Sequence, residues 1–254
     1  MTKLDRLALA VAVGIACPAL LPAQAAPAAA PPSAQAVVAR YIDAIGGRGA
    51  VEQLRSRWER GRAEVPAAGL TLSFEAYYAS GRLFTRSEMS GFGVIRAGFD
   101  GQVAWSVNPA TGPMLRDGVA LRQVEQSADP LAVLHPDRYV AAMQTMEEGD
   151  FDGTRCYKVR ITTPWHEDYY EFFERETGLL RGSIRSQVTP EGSYEVTSRV
   201  VEWRTVAGVR LPRVIRATMA GREIVTTVDS TEVRAIPDSV FALPPEIRAL
   251  RPSS

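Results

Sequence analysis

The sequence predicts a mainly β protein: an incomplete antiparallel β-barrel of about eleven strands, with an N-terminal helix and a short helical lid on the concave face of a strongly curved sheet. Three observations predict it. From residue 57 to residue 244 turn residues recur about every 8 to 12 positions, the rhythm of an antiparallel meander rather than of alternating βαβ units. Within that stretch residues 70–78 alternate cleanly, with Leu70, Leu72, Phe74, Ala76 and Tyr78 on one face and Thr71, Ser73 and Glu75 on the other. Helical periodicity is confined to one segment near the N-terminus and one short insertion. A sheet this large curls, and a lone helix with an apolar stripe must bury that stripe, so the helix is expected across the open concave face.

Composition bounds what such a protein does. The chain has 254 residues, 46% of them hydrophobic, with 29 basic and 29 acidic side chains. Disordered and collagen-like classes are excluded by these values. Balanced charge without a basic block offers nothing to neutralise a run of phosphates, so no nucleic acid partner is expected. Two histidines, His135 and His166, and two cysteines, Cys17 and Cys156, leave little room for metal or thiol chemistry.

The elements follow in order. Lys3 and Arg6 precede an apolar run over residues 7–21 and then Pro-Ala-Gln-Ala at 22–25. This is the layout of an export signal cleaved after Ala25, and the run is shorter than the roughly 20 residues a membrane span needs. A lipid anchor on Cys17 is the weaker reading, because Gly14-Ile15-Ala16 lacks the usual leucine and the apolar stretch continues past the cysteine. Residues 26–33, rich in proline and alanine, read as a tether, residues 34–245 as one domain and residues 246–254 as a tail. Ser33 is placed to cap a helix carrying Val37, Val38, Tyr41, Ile42 and Ile45, which Gly46-Gly47 ends, and a shorter helix is expected at about 50–55. Asp100-Gly101 signals a type I′ hairpin, and Asp152-Gly153, Thr177-Gly178 and Ala207-Gly208 mark further reversals. The proline-flanked segment 109–136 interrupts the meander, and its residues 118–128 have helical composition with Val119, Leu121 and Val124 apolar. Such an insertion is either a lid or binding element or a helix that only plugs the sheet.

Motifs for catalysis are missing from the sequence. Gly91-Phe-Gly93-Val-Ile-Arg96 lacks the third glycine of a dinucleotide loop, and no nucleophile-elbow, P-loop or zincin pattern occurs. The acidic run 147–152 lacks the order of a calcium loop, His135 and His166 read as solvated loop residues, and Cys156, inside a strand, reads as buried and inert. What stands out is the investment in large rings: Phe74, Tyr78, Phe84, Phe99, Trp105, Tyr170, Phe172 and Trp203 are spread over most strands. Inside a curved sheet they would either line an apolar ligand cavity or simply fill a core.

Six segments then carry a family likeness. Residues 41–47 (Tyr-Ile-Asp-Ala-Ile-Gly-Gly), 98–105 (Gly-Phe-Asp-Gly-Gln-Val-Ala-Trp), 152–157 (Asp-Gly-Thr-Arg-Cys-Tyr), 176–180 (Glu-Thr-Gly-Leu-Leu), 208–212 (Gly-Val-Arg-Leu-Pro) and 237–241 (Pro-Asp-Ser-Val-Phe) resemble, in order, the outer-membrane lipoprotein-sorting (LolA/LolB-like) superfamily over about residues 36–244. The resemblance implies a half-open barrel of about eleven strands closed by helices, a dry cavity for acyl chains, no catalysis and no cofactor. It also implies an early-strand arginine that helps hold the lid, with Arg60 and Arg62 in the right region. The expected function is that of a periplasmic, monomeric carrier binding lipoprotein acyl chains or lipid, with inner- or outer-membrane transfer partners. Its cavity and lid candidates are Leu72, Phe74, Tyr78, Phe99, Trp105, Val119, Leu121, Val124, Tyr170, Phe172 and Trp203. The alternative is a non-catalytic interaction or regulatory module of the cell envelope on the same scaffold.

Overall fold

The computed structural model describes residues 30–189 and 192–251. The expected signal segment, and most of the tether, lie outside the described residues. The chain opens with helix α1 (Ala34–Ala44), where Ser33 Oγ accepts the Ala36 N–H at 3.2 Å as the cap expected for that serine. Gly46 then turns at φ 125°, and a Cβ there would lie 2.3 Å from the Gly208 carbonyl oxygen, so only glycine fits where the helix exit meets the sheet. A short helix α2 (Arg48–Val51) continues into a 3-10 turn (Glu52–Arg55).

Thirteen strands follow among the described residues: β1 (Ser56–Val65), β2 (Leu70–Ala79), β3 (Arg82–Met89), β4 (Gly93–Phe99), β5 (Ala104–Asn108), β6 (Gly112–Arg116), β7 (Ala142–Phe151), β8 (Thr154–Thr162), β9 (Asp168–Glu174), β10 (Leu180–Thr189), β11 (Gly192–Val206), β12 (Val209–Met219) and β13 (Arg222–Val233). They form one antiparallel sheet in the order β6-β5-β4-β3-β2-β1-β13-β12-β11-β10-β9-β8-β7. The first six strands and the last seven are each a meander, joined by β1 pairing with β13. The expected incomplete barrel of about eleven strands is thus corrected: the sheet has thirteen, ends in two edges, β6 and β7, and is neither closed nor strongly curled. The extra strands come partly from the insertion, whose Gly112–Arg116 segment pairs with β5 instead of looping.

Among the described residues four turns between adjacent strands have two successive positive-φ residues, at Ser80-Gly81, Asp152-Gly153, Ala207-Gly208 and Ala220-Gly221. This is the type I′ geometry that matches strand twist. Asp100-Gly101 is not one of them. Gly101 has a positive φ but Asp100 does not, and the Asp100 carboxylate instead accepts the N–H groups of Gln102 and Val103 at 2.9 and 2.8 Å.

Between β6 and β7 the chain forms helix α3 (Gly118–Ala128), within the limits its composition predicts, then a 3-10 turn (Ala132–Leu134) and a short helix α4 (Pro136–Tyr139). Helix α3 packs on β3, β4 and β5 and also on β10. Strands β3 and β10 are six spacings apart, about 29 Å on a flat sheet, whereas an 11-residue helix is about 16 Å long. Helix α3 thus reaches from the first meander across to the second. After β13 the C-terminal segment forms a 3-10 turn (Asp238–Phe241) and helix α5 (Pro245–Arg248). Ile247, in the expected tail, is fully buried and Glu246 pairs with Arg96 at 2.6 Å.

Candidate functional site

Strand alternation divides the side chains between two faces of the sheet, and each face has its own cover. Helices cover one. Ala34, Val37, Val38 and Tyr41 of α1 pack on Val159 and Ile161 of β8 and on Tyr169 and Phe173 of β9. Val51 and Leu54 pack near Trp203, Val209 and Leu211, and Leu121, Val124 and Ala128 of α3 pack on Leu83, Phe99 and Ala104. The other face carries the C-terminal segment, whose Ile236, Val240 and Phe241 sit against Trp58, Tyr77, Ala79 and Phe84.

The helix-bearing face holds a cavity of about 340 Å³ between α1, the 129–140 segment and the sheet. Val38, Val133, Val140, Met143, Ile161 and Leu180 give it apolar walls, while Arg57, Glu171 and Arg185 give it a charged floor. Arg57 Nε donates to Glu59 at 2.8 Å, both side chains being largely buried, and its guanidinium lies 4.2 Å from the Tyr78 ring centroid. Arg185 lies over the Tyr169 ring at 4.6 Å and reaches Glu171 only at 3.5 Å. Burial pushes the Glu171 carboxyl above the usual carboxylate range, against the pull of Arg185, and the same burial raises the Tyr41 and Tyr169 hydroxyls beside it. The 21% of the Glu171 side-chain surface that remains accessible is at the cavity it lines.

One wall of the cavity is fixed by a buried carboxylate. Asp129, 8% exposed, accepts the Leu131 N–H at 2.9 Å and the Tyr139 hydroxyl at 3.2 Å, and it meets His135 Nδ1 at 2.7 Å. Burial and the neighbouring Asp129 push the Tyr139 hydroxyl up to about 12. His135 is therefore more than the solvated loop residue expected: it holds this segment's only buried acid among the described residues. A wider hollow of about 630 Å³ lies on the other side of Tyr139, where Arg122, Glu125 and Arg138 stand beside Phe99, Pro164 and Trp165 and no aliphatic side chain of the sheet or of α1 lines it. The 340 Å³ cavity is the better seat for an apolar ligand.

The Gln123 side chain ties helix α3 to strand β10. Strand β9 pairs with β10 only as far as Tyr170↔Ile184, so the next residues of β10 lack a strand on that side. The Gln123 carboxamide replaces it, donating to the Ser186 carbonyl at 3.0 Å and accepting the Val188 N–H at 3.0 Å. The same amino group lies 3.2 Å from both Glu167 carboxylate oxygens. Nothing in the periodicity singled out Gln123, because a polar residue on a helix is by default solvent-facing.

The predicted cavity residues divide between the faces. Phe99, Leu121, Val124 and Trp203 lie on the helix-bearing face, and Tyr78 sits beside Arg57 on the cavity floor. Leu72 and Phe74 share that face by alternation but lie along β2 away from the cavity, and Val119 is half-buried at the start of α3. Trp105 is on the opposite face: its ring meets Phe84 at 6.2 Å and lies over Gly98, where a Cβ would approach it to 2.8 Å. Tyr170 and Phe172 are there too, Phe172 stacked on Phe151 at 3.9 Å and Tyr170 under Lys158 at 4.7 Å. The residues of β9 that face the helices are Tyr169, Glu171 and Phe173. A frame error of one residue moves every side chain of a strand to the other face. Arg60 and Arg62 also turn away, Arg60 towards the Trp58 ring and Arg62 to Asp229, and the early-strand arginine at the cavity is Arg57.

Two further carboxylates are held by arginine pairs. Glu148 takes Arg155 and Arg175, and Asp152 takes Arg181 and Arg199, hydrogen bonds that hold both carboxyls below the usual range. Cys156 is buried, and burial pushes its thiol up to about 11, which keeps it inert. No helix among the described residues is long and apolar enough to cross a membrane.

No family model and no curated protein matches the chain. Solved structures do. A LolA-superfamily protein from Nitrosomonas europaea is 14% identical and aligns over 84% of this chain and 99% of its own, with a TM-score of 0.55. A DUF1329-family protein from Desulfovibrio piger is 12% identical and aligns over 82% of this chain and 96% of its own, with a TM-score of 0.56. The overall fold of this chain is thus similar to that of a LolA-superfamily protein and of a DUF1329-family protein.

Proposed function

We propose that the protein is an exported, periplasmic and monomeric carrier that binds an acyl chain of a lipid or lipoprotein between the sheet and its helices, for transport or sorting to the outer membrane. The observation that carries this reading is the 340 Å³ cavity with apolar walls beneath α1 and the 129–140 segment. The fold shared with a LolA-superfamily protein supports it, as does the export layout of residues 1–25, which would leave a mature chain free of Cys17 and tethered through residues 26–33. A methylene takes up roughly the volume of a liquid water molecule, about 30 Å³, so the cavity admits a chain of about eleven. Burying these at about 0.8 kcal/mol each offers about 9 kcal/mol before ordering costs, enough for micromolar binding.

In this reading α3 is the lid, held by Gln123 and by Leu121 and Val124, and the protein does no chemistry on its ligand. Native mass spectrometry of the protein purified from a Gram-negative envelope tests the proposal. Co-purifying lipid at one chain per protein is expected. A ligand-free protein that takes up no lipid from detergent-free vesicles would replace the carrier with an interaction module on the same scaffold.

A further inference from the structure

The floor of the cavity says what kind of head the bound chain carries. Asp129 has a full set of partners, and Glu59 holds Arg57. Glu171 and Arg185 are different. They meet at 3.5 Å, too long and poorly aligned to count as a hydrogen bond, and among the described residues no other side chain bonds to the Glu171 carboxylate. Both line the cavity, so the space beside them holds an acceptor and a donor without close protein partners. The two side chains are only partly buried, Arg185 38% and Glu171 21% exposed, so their free hydrogen-bonding capacity is open to a group in the cavity, and a ligand head can serve both.

We propose that the ligand is a single-chain amphiphile whose head is uncharged and carries both a hydrogen-bond donor and an acceptor, as in a monoacylglycerol or an acyl amide, seated between Glu171 and Arg185. This deepens the acyl-carrier reading and rests on it. Volume argues for one chain, since two or three long chains side by side need several times the space available. Charge argues for the neutral head. The floor pairs Arg57 with Glu59 and Arg185 with Glu171 and so sums to zero, and a carboxylate head would add negative charge to a cavity already lined by Glu171 and the buried Asp129. A quaternary ammonium would give Glu171 no donor, and would set a second cation beside Arg185. A neutral head donates to Glu171 and accepts from Arg185 without moving a charge out of water.

The test measures binding of five probes to the full mature protein by displacement of an apolar dye: monododecanoylglycerol, dodecanamide, dodecanoate at pH 8, dodecyltrimethylammonium and a tripalmitoylated lipopeptide. Either neutral single-chain probe should bind about tenfold tighter than both charged ones, and the tighter of the two identifies the source of the head. The double variant Glu171→Leu with Arg185→Leu, which leaves no unpaired charge behind, should keep chain binding while the preference shrinks below threefold. Equal affinities for neutral and charged probes, or tighter binding of the lipopeptide than of any single chain, would overturn the proposal while leaving the carrier standing. Failure of every probe and of the dye would remove the carrier reading itself, and the head assignment with it.

Discussion

The two faces of the sheet are both packed, but for different ends. The face under the C-terminal segment is filled by rings in direct contact: Tyr77 on Phe84 at 5.9 Å, Phe84 on Trp105 at 6.2 Å, and further along Phe151 on Phe172 at 3.9 Å. The face under the helices is filled at its two sides, by Phe173 and Val159 below α1 and by Phe99 and Ala104 below α3, and is left open between them. Rings occur on both faces, Tyr41 meeting Phe173 at 5.4 Å under α1, and the cavity is lined by Tyr41, Tyr139 and Tyr169 together with aliphatic residues and ion pairs.

The contrast can be broken at several points. Val159→Asp puts a charge at a fully buried position of the helix-bearing face and should unfold the protein, losing well over 4 kcal/mol, whereas Lys158→Asp, its neighbour on the other face, should change denaturant stability by less than about 1 kcal/mol. Trp105→Ala should cost about 3–5 kcal/mol by cavity formation and leave ligand binding unchanged once folded, since its ring belongs to the solid face. Gln123→Ala should cost about 1–3 kcal/mol locally and raise hydrogen exchange through residues 118–128, with β8 remaining protected.

Smaller effects follow from titration. Glu171 has a raised carboxyl in the folded protein, so the native state holds its proton at pH values where the unfolded chain has released it. Stability from this group is greatest below the ordinary carboxylate value near 4.5 and is lost as pH rises through the raised one. Glu171→Gln should accordingly gain stability relative to the parent at pH 8 but not at pH 4, measured by urea titration at the two values. Cys156 should react with iodoacetamide at pH 8 only at the rate of global unfolding, as a thiol raised to about 11 at a position 1% exposed requires.

How far the sequence reaches is set by how local each signal is. Ser33, Gly46 and the 118–128 composition are local, and they locate α1 and α3 to within a residue or two. The meander is local as well, since turn chemistry recurs along the chain, and the six family-like segments are mostly such turns. In residues 98–105 the physical content is plain: Gly98 makes room for Trp105, Asp100 and Gly101 form the turn, and Phe99 and Ala104 face α3. The face of β9 was not legible. Residues 169–173, Tyr-Tyr-Glu-Phe-Phe, put aromatics in both frames, so alternation cannot decide, and pairing with β8 places Glu171 beside Val159 on the inside. The closing pair β1·β13, the C-terminal cover with Ile247 and the hold of Gln123 on β10 join positions far apart in sequence, beyond any window of periodicity.

The central claim is that a chain binds on the helix-bearing face and not on the opposite one. Binding of monododecanoylglycerol to two folded variants tests it most directly. Val38→Phe enlarges a side chain that lines the cavity, and Tyr170→Ala removes a ring from the opposite face. The account predicts that Val38→Phe lowers affinity by tenfold or more while Tyr170→Ala binds as the parent does. Unchanged binding in Val38→Phe together with lost binding in Tyr170→Ala would contradict it.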